Sequence, residues 1–246
     1  MKLILTLVVV AISLFAGRMA FRARHSSQDH PWLGMGETFA AGVFLAAGLV
    51  HMLGDSDSTF VSAGVDYPFA PMLCGATLMI LLWIEQIGHA KAAVSSEQAD
   101  ILPVTATVML SIHSLLMGAA FGITTSLSIA IAVFIAVIAH KGAASFALAL
   151  ELSRSGMSLT RQKRLYLVFV AMFPVGVLLG QAVSHLTDSH PLVEASFSAV
   201  AAGTFLFFGT LHGLSHSPMI ARCCNGKEFA SALAGFSLMA LVAIWT

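Results

Sequence analysis

The sequence predicts an all-α polytopic membrane protein, a single domain of eight transmembrane helices in a three-two-three inverted repeat. Three observations carry this. Only 10% of the 246 residues are charged against 58% hydrophobic, and mean hydropathy is +0.89, so most of the chain cannot be the surface of a soluble fold. Eight apolar stretches each approach the roughly 20 residues that cross a hydrocarbon core. Residues 40–56, AAGVFLAAGLVHMLGDS, recur 161 positions later as residues 201–217, AAGTFLFFGTLHGLSHS, with nine identities in seventeen positions.

The expected spans are 2–20, 36–54, 67–88, 103–125, 127–149, 165–185, 193–215 and 229–245. The first has the look of a signal peptide, with Lys2 ahead of an apolar run. It is kept as a span because eight helices complete the repeat and seven do not. In the second and seventh, Ala40, Ala41, Gly42, Phe44, Leu45, Gly48, His51, Leu53 and Ser56 match Ala201, Ala202, Gly203, Phe205, Leu206, Gly209, His212, Leu214 and Ser217. In the third and eighth, Gly75, Leu78, Met79, Leu81 and Ile84 match Gly235, Leu238, Met239, Leu241 and Ile244. The first and sixth pair only by counting, and Pro174 predicts a kink in the sixth. The fourth and fifth stand outside the repeat as a central pair. The connections are too short to hold a soluble domain.

Orientation follows from charge. Arg18, Arg22, Arg24, Lys91, Arg154, Arg161, Lys163, Arg164, Arg222 and Lys227 fall at the odd-numbered connections, and the even-numbered ones hold no Lys or Arg. The positive-inside rule makes the odd connections cytoplasmic and puts both termini outside. The second helix then runs outward and the seventh inward, so the repeat is inverted, an arrangement in which two related halves exchange roles as outer and inner gate. Asp55, Asp57, Asp66, Asp188 and Glu194 lie on the outer side, where acidic groups attract cations. A net charge of zero argues against nucleic acid as a partner. Cys74, Cys223 and Cys224 form no disulfide framework.

Polar groups inside spans are expensive and mark sites. His113 and His140 fall near the midplane on consecutive antiparallel helices, with Lys141 beside the latter. Imidazoles on facing helices can share one ion, and Met117, one turn after His113, offers a thioether or simply fills the core. Gly118 and Gly122 form a G-x-x-x-G pair that lets another helix approach closely. Glu85 is the one carboxylate expected well inside a span. His51 with Asp55, and His212 with His216, have i, i+4 spacing that suits passing cations at an entrance and an exit.

These segments together resemble the ZIP family of divalent metal transporters. FAAGVFLAAGLVHMLGDS is similar to the family's second helix, PFAPMLCGATLMILLWIEQ to the third, HSLLMGAAFG to the fourth, HKGAASFALAL to the fifth and AAGTFLFFGTLH to the seventh. The resemblance implies eight helices with outward termini and a metal site on helices four and five that includes His113 and His140, with Ser114 nearby. It also implies that Lys141 stands where other members hold a second metal. Met117 departs from the pattern by replacing a glutamate, and His212 stands where a glutamate is common.

The expected function is transport of a metal cation, Zn²⁺ first and Fe²⁺ or another divalent ion next, into the cytoplasm. The loss of the glutamate favours two alternatives, a Cu(I) transporter and a non-transporting metal sensor. A bis-His haem carrier would explain His113 and His140 but not the repeat. A metalloprotease lacks its H-E-x-x-H, and no enzyme activity is expected. The ion is cargo, with no resident cofactor; the partners are the ion and the lipid bilayer, and a homodimer is compatible with the chain. Small size suggests a bacterial inner membrane. The expected movement sets the repeated helices against the central pair, with the cation entering past His51 and Asp55 and leaving past Glu85, His212 and His216.

Overall fold

The computed structural model describes residues 1–25, 31–92, 101–123, 127–184, 191–212 and 226–244, and these contain helices and turns but no strand. Helix α1 is Lys2–His25. Helix α2 runs Pro31–Ala46, passes through a π-helical stretch Ala47–Met52, and continues as Leu53–Ser62. Then follow α3 (Phe69–Ala92), α4 (Ile101–Ile123), α5 (Leu127–Arg154) and α6 (Leu159–Ser184). Helix α7 is Pro191–Leu206, extended by a π-helical stretch Phe207–His212, and α8 is Gly226–Val242. Among the described residues seven helices are long and apolar enough to cross a membrane; α8, at 17 residues, covers about 26 Å at 1.5 Å per residue.

Several helices outrun their expected ends for a local reason. Beyond His51 the stretch LGDSDSTFVS is polar, yet it stays helical because Ser58 and Thr59 donate to the Asp55 carbonyl at 2.9 and 2.8 Å, and Ser62 to that of Thr59 at 2.9 Å. Each hydroxyl is satisfied within its own turn. Helix α2 ends where Gly64 takes φ 77°, a conformation glycine adopts without steric cost. Helix α6 carries Pro174 inside it without ending there. Exposed Leu3, Ile4, Phe15, Met79, Trp83 and Leu178 give the perimeter the apolar surface that lipid requires.

The repeat is written into the packing. Helix α2 packs on α8 as α3 packs on α7, and α1 packs on α5 as α4 packs on α6, while α2–α7 and α1–α6 contacts join each helix to its own counterpart. Exchanging the two halves maps this set of contacts onto itself. Both π-helical stretches lie at the matching place, one containing His51 and the other ending at His212. A π turn inside an α-helix widens it by one residue and is common at functional sites.

The central pair does not stand apart from the repeat, as the sequence led us to expect. A Cβ on Gly118 would lie 2.2 Å from the Phe173 carbonyl oxygen, one on Gly176 2.1 Å from that of Leu115, and one on Gly180 2.1 Å from that of Ala119. Backbone therefore touches backbone along α4 and α6, in the manner of small-residue membrane interfaces. Gly42 is held as closely against Ala232 of α8, at 2.0 Å, and Gly203 against Cys74 of α3, at 2.5 Å. Two interlocked groups result, α1/α4/α5/α6 and α2/α3/α7/α8. Between them, the nearest atoms that a Cβ on Gly36 of α2 would meet belong to the Phe146 ring of α5, at 2.7 Å.

Candidate metal centre

Helices α4 and α5 bring the two midplane histidines together. His113 is 4% exposed and His140 1%, and their ring centroids lie 5.8 Å apart at 74°. A Zn–N bond of about 2.0–2.1 Å places each ring centroid roughly 3.2 Å from the ion, so two imidazoles sharing one tetrahedral ion have centroids about 5 Å apart, and about 6.4 Å if collinear. The observed separation falls between those limits. His113 Nδ1 and Nε2 and His140 Nδ1 have no hydrogen-bond partner among the described residues. A buried nitrogen without a partner costs about 1–3 kcal/mol, so each one calls for a water or an ion to satisfy it.

Lys141 follows His140 and reaches toward α4 and α6. Its Nζ donates to the Ser114 hydroxyl and lies 3.9 Å from the centroid of Phe169 and 5.8 Å from that of Phe173. The ammonium is thus held by a hydroxyl and two π faces at 4% exposure. Ser114, expected near the ion, is engaged by this lysine. Met117 is half-buried and packs between two clusters of the core, one containing Leu110 and Phe205 and the other Phe121 and Phe173. Among the described residues no three His, Cys, Asp or Glu side chains converge on a point.

The expected entrance pair is formed. His51 Nδ1 lies 2.8 Å from Asp55 Oδ2, with Asp55 54% exposed. His51 sits in the π-helical stretch of α2. Glu85 is half-buried in α3. The side chain of His212, and all of His216, lie outside the described residues.

Two parts of the site were missed by sequence reading. Phe205 of α7 lies against both imidazoles, with centroids 4.1 Å from His113 and 5.1 Å from His140. Its match to Phe44 within the repeat was the available signal. A small cavity is lined by Glu37, Ala41, Phe44, Leu110, Glu151 and Phe208 among others. Glu85 is therefore not the only carboxylate inside a helix. Glu37 and Glu151 had been placed at or past span ends because hydropathy falls there while the helices continue to Pro31 and Arg154. Glu37 also accepts two hydrogen bonds from Arg154 at 2.7 and 2.9 Å, tying α2 to α5 across the boundary between the groups.

Comparison with known proteins agrees with this architecture. Residues 91–243 match the ZIP Zinc transporter family. The chain is 27% identical over 260 residues to Zinc transporter ZIP2 of Mus musculus, covering 84% of this chain and 83% of that protein. It is 26% identical to the Homo sapiens Zinc transporter ZIP2 over 262 residues, with the same coverage. Zinc transporter ZIP1 of Takifugu rubripes is 33% identical over 138 residues, covering 53% of this chain and 43% of that protein.

Proposed function

The chain belongs to the ZIP zinc transporter family, whose members are transporters and not enzymes, and from that premise we propose that it moves Zn²⁺ into the cytoplasm through the His113–His140 pair. The single observation behind the site is the set of three buried imidazole nitrogens without partners, on rings spaced for one shared ion. Lys141, bonded to Ser114 next to the pair, adds positive charge there when protonated, which disfavours a second cation. Gly118 and Gly122 shape the site by holding α4 against α6.

The cation enters past His51 and Asp55 and leaves toward Glu85, His212 and His216, with the cavity lined by Glu37 and Glu151 on the cytoplasmic side. Orientation rests on the charge bias of the connections. It is supported by the Lys2 ammonium donating to the Gly122 carbonyl at 2.6 Å, which puts the N-terminus and the end of α4 on one face, as eight alternating spans require. Transport is a sliding of the α1/α4/α5/α6 group, which carries the histidines, against the α2/α3/α7/α8 group.

A second reading has its own observation. A site of two neutral imidazoles and a nearby thioether, with no convergent carboxylate among the described residues, suits Cu(I), which carries one charge fewer than Zn²⁺ and prefers soft ligands. The experiment is elemental mass spectrometry for Zn, Fe, Mn, Co and Cu in cells expressing the wild type or the His113→Ala, His140→Ala double variant. A rise in zinc that the double variant loses is expected. A rise in copper alone selects the second reading. No rise in any metal, with the protein present in the membrane, turns the assignment toward a sensor.

A further inference from the structure

Phe44 and Phe205 are one position in the two copies of the repeat, and in the folded chain their rings stack on each other with centroids 5.1 Å apart at 26°. Phe205 is fully buried and Phe44 is 3% exposed. The stack has two different ends. Phe205 lies against both His113 and His140, while Phe44 lines the cavity that contains Glu37 and Glu151. In spatial order the contacts run from the histidine pair to Phe205, then Phe44, then the cavity.

Both rings belong to α2 and α7, in one interlocked group, and both histidines belong to α4 and α5, in the other. The boundary between ring stack and histidines is therefore the sliding boundary. Each phenylalanine also lies just ahead of a π-helical stretch, Phe44 three residues before Ala47 and Phe205 two before Phe207. Returning a π turn to α geometry removes one residue from the turn, which rotates one side of the helix relative to the other by about 100°. Such a rotation would turn a ring out of the stack without breaking either helix.

We propose that Phe205 and Phe44 form a two-ring gate that separates the histidine pair from the acidic cavity, and that the cation passes into that cavity when the stack parts. The inference deepens the transport reading and rests on it for the identity of the cargo. The barrier itself is a property of the packing. Desolvated aromatic faces exclude a hydrated ion, and beyond them lies a cavity lined by Glu151 and by Glu37, the latter held by Arg154.

The test measures the barrier without metal. In protein freed of its three native cysteines, His140→Cys puts a thiol on the histidine side of the stack, and a small membrane-impermeant cationic methanethiosulfonate is added on the cavity side of reconstituted vesicles. Phe205→Ala and Phe44→Ala should each raise the labelling rate at least tenfold, and Phe205→Trp should leave it at or below the starting rate. Phe121→Ala, an equally buried aromatic in a separate core cluster, should change it less than twofold. Should Phe205→Ala fail to fold, Phe44→Ala and the tryptophan variant carry the comparison. Unchanged labelling in the gate variants, or an equal rise in Phe121→Ala, overturns the gate. Because no cargo is used, this outcome is separate from a failure of the wild type to accumulate metal.

Discussion

Replacing Gly118 by alanine inserts one methyl group where α4 meets α6. The new Cβ would lie 2.2 Å from the Phe173 carbonyl oxygen, which is 1.2 Å short of the 3.4 Å at which ordinary contact begins. That oxygen is backbone and cannot rotate away. The same Cβ would sit 3.1 Å from the Gly176 Cα, so the two helices must part over a full turn. Overpacking of this kind costs about 1–3 kcal/mol, and at about 2–4 °C per kcal/mol for a chain of this size the midpoint falls by about 2–12 °C. His113 rides on α4 five residues earlier, so uptake should fall as well. The assay is thermal unfolding of purified protein in detergent, beside Gly75→Ala. Gly75 has nothing within 4 Å of its would-be Cβ, and alanine there gains about 0.5–1 kcal/mol of helical propensity. A midpoint for Gly118→Ala within 1 °C of wild type would refute the backbone interlock and the two-group division built on it.

Other consequences can be checked alongside. Met117→Glu adds negative charge one turn from His113, and the ratio of zinc to copper accumulated by expressing cells should rise. Ser56→Ala removes a buried hydroxyl that donates to the Ala195 carbonyl at 2.7 Å, joining α2 to α7, and should cost about 1 kcal/mol, read as a drop of a few degrees in thermal midpoint. Glu37→Gln removes the Arg154 ion pair that joins α2 to α5. With Arg154 36% exposed it should cost only about 0–1 kcal/mol of stability, so a clear change in uptake rate at unchanged midpoint would mark the pair as acting on movement.

Much of the architecture was legible because the repeat kept identical residues at fixed spacing and because the positive charges fall on alternate connections. Those features survive in one dimension. Which helices interlock did not, since it depends on backbone approaches that any glycine can permit. The sequence marked Gly118 and Gly122 but gave no reason to pair them with Gly176 and Gly180, four positions apart on α6. The histidine pair was readable from polarity at midspan. Phe205 was marked only by its match to Phe44 in the repeat, because an aromatic in an apolar helix carries no signal of what it touches. Glu37 and Glu151 were lost for a different reason: hydropathy reports where lipid ends and is silent on where a helix ends. The polar continuation of α2 through Ser58, Thr59 and Ser62 shows the same gap, closed by side-chain bonds to the helix's own carbonyls.

On the proposed transport route, His113 and His140 carry a metal ion across the membrane. This is tested most directly by zinc flux into proteoliposomes holding purified protein, wild type beside the His113→Ala, His140→Ala double variant, with equal amounts reconstituted. The account predicts saturable zinc entry in the wild type and entry at the rate of empty liposomes in the double variant. Equal flux in the two would contradict it and move the ion's path away from the buried pair.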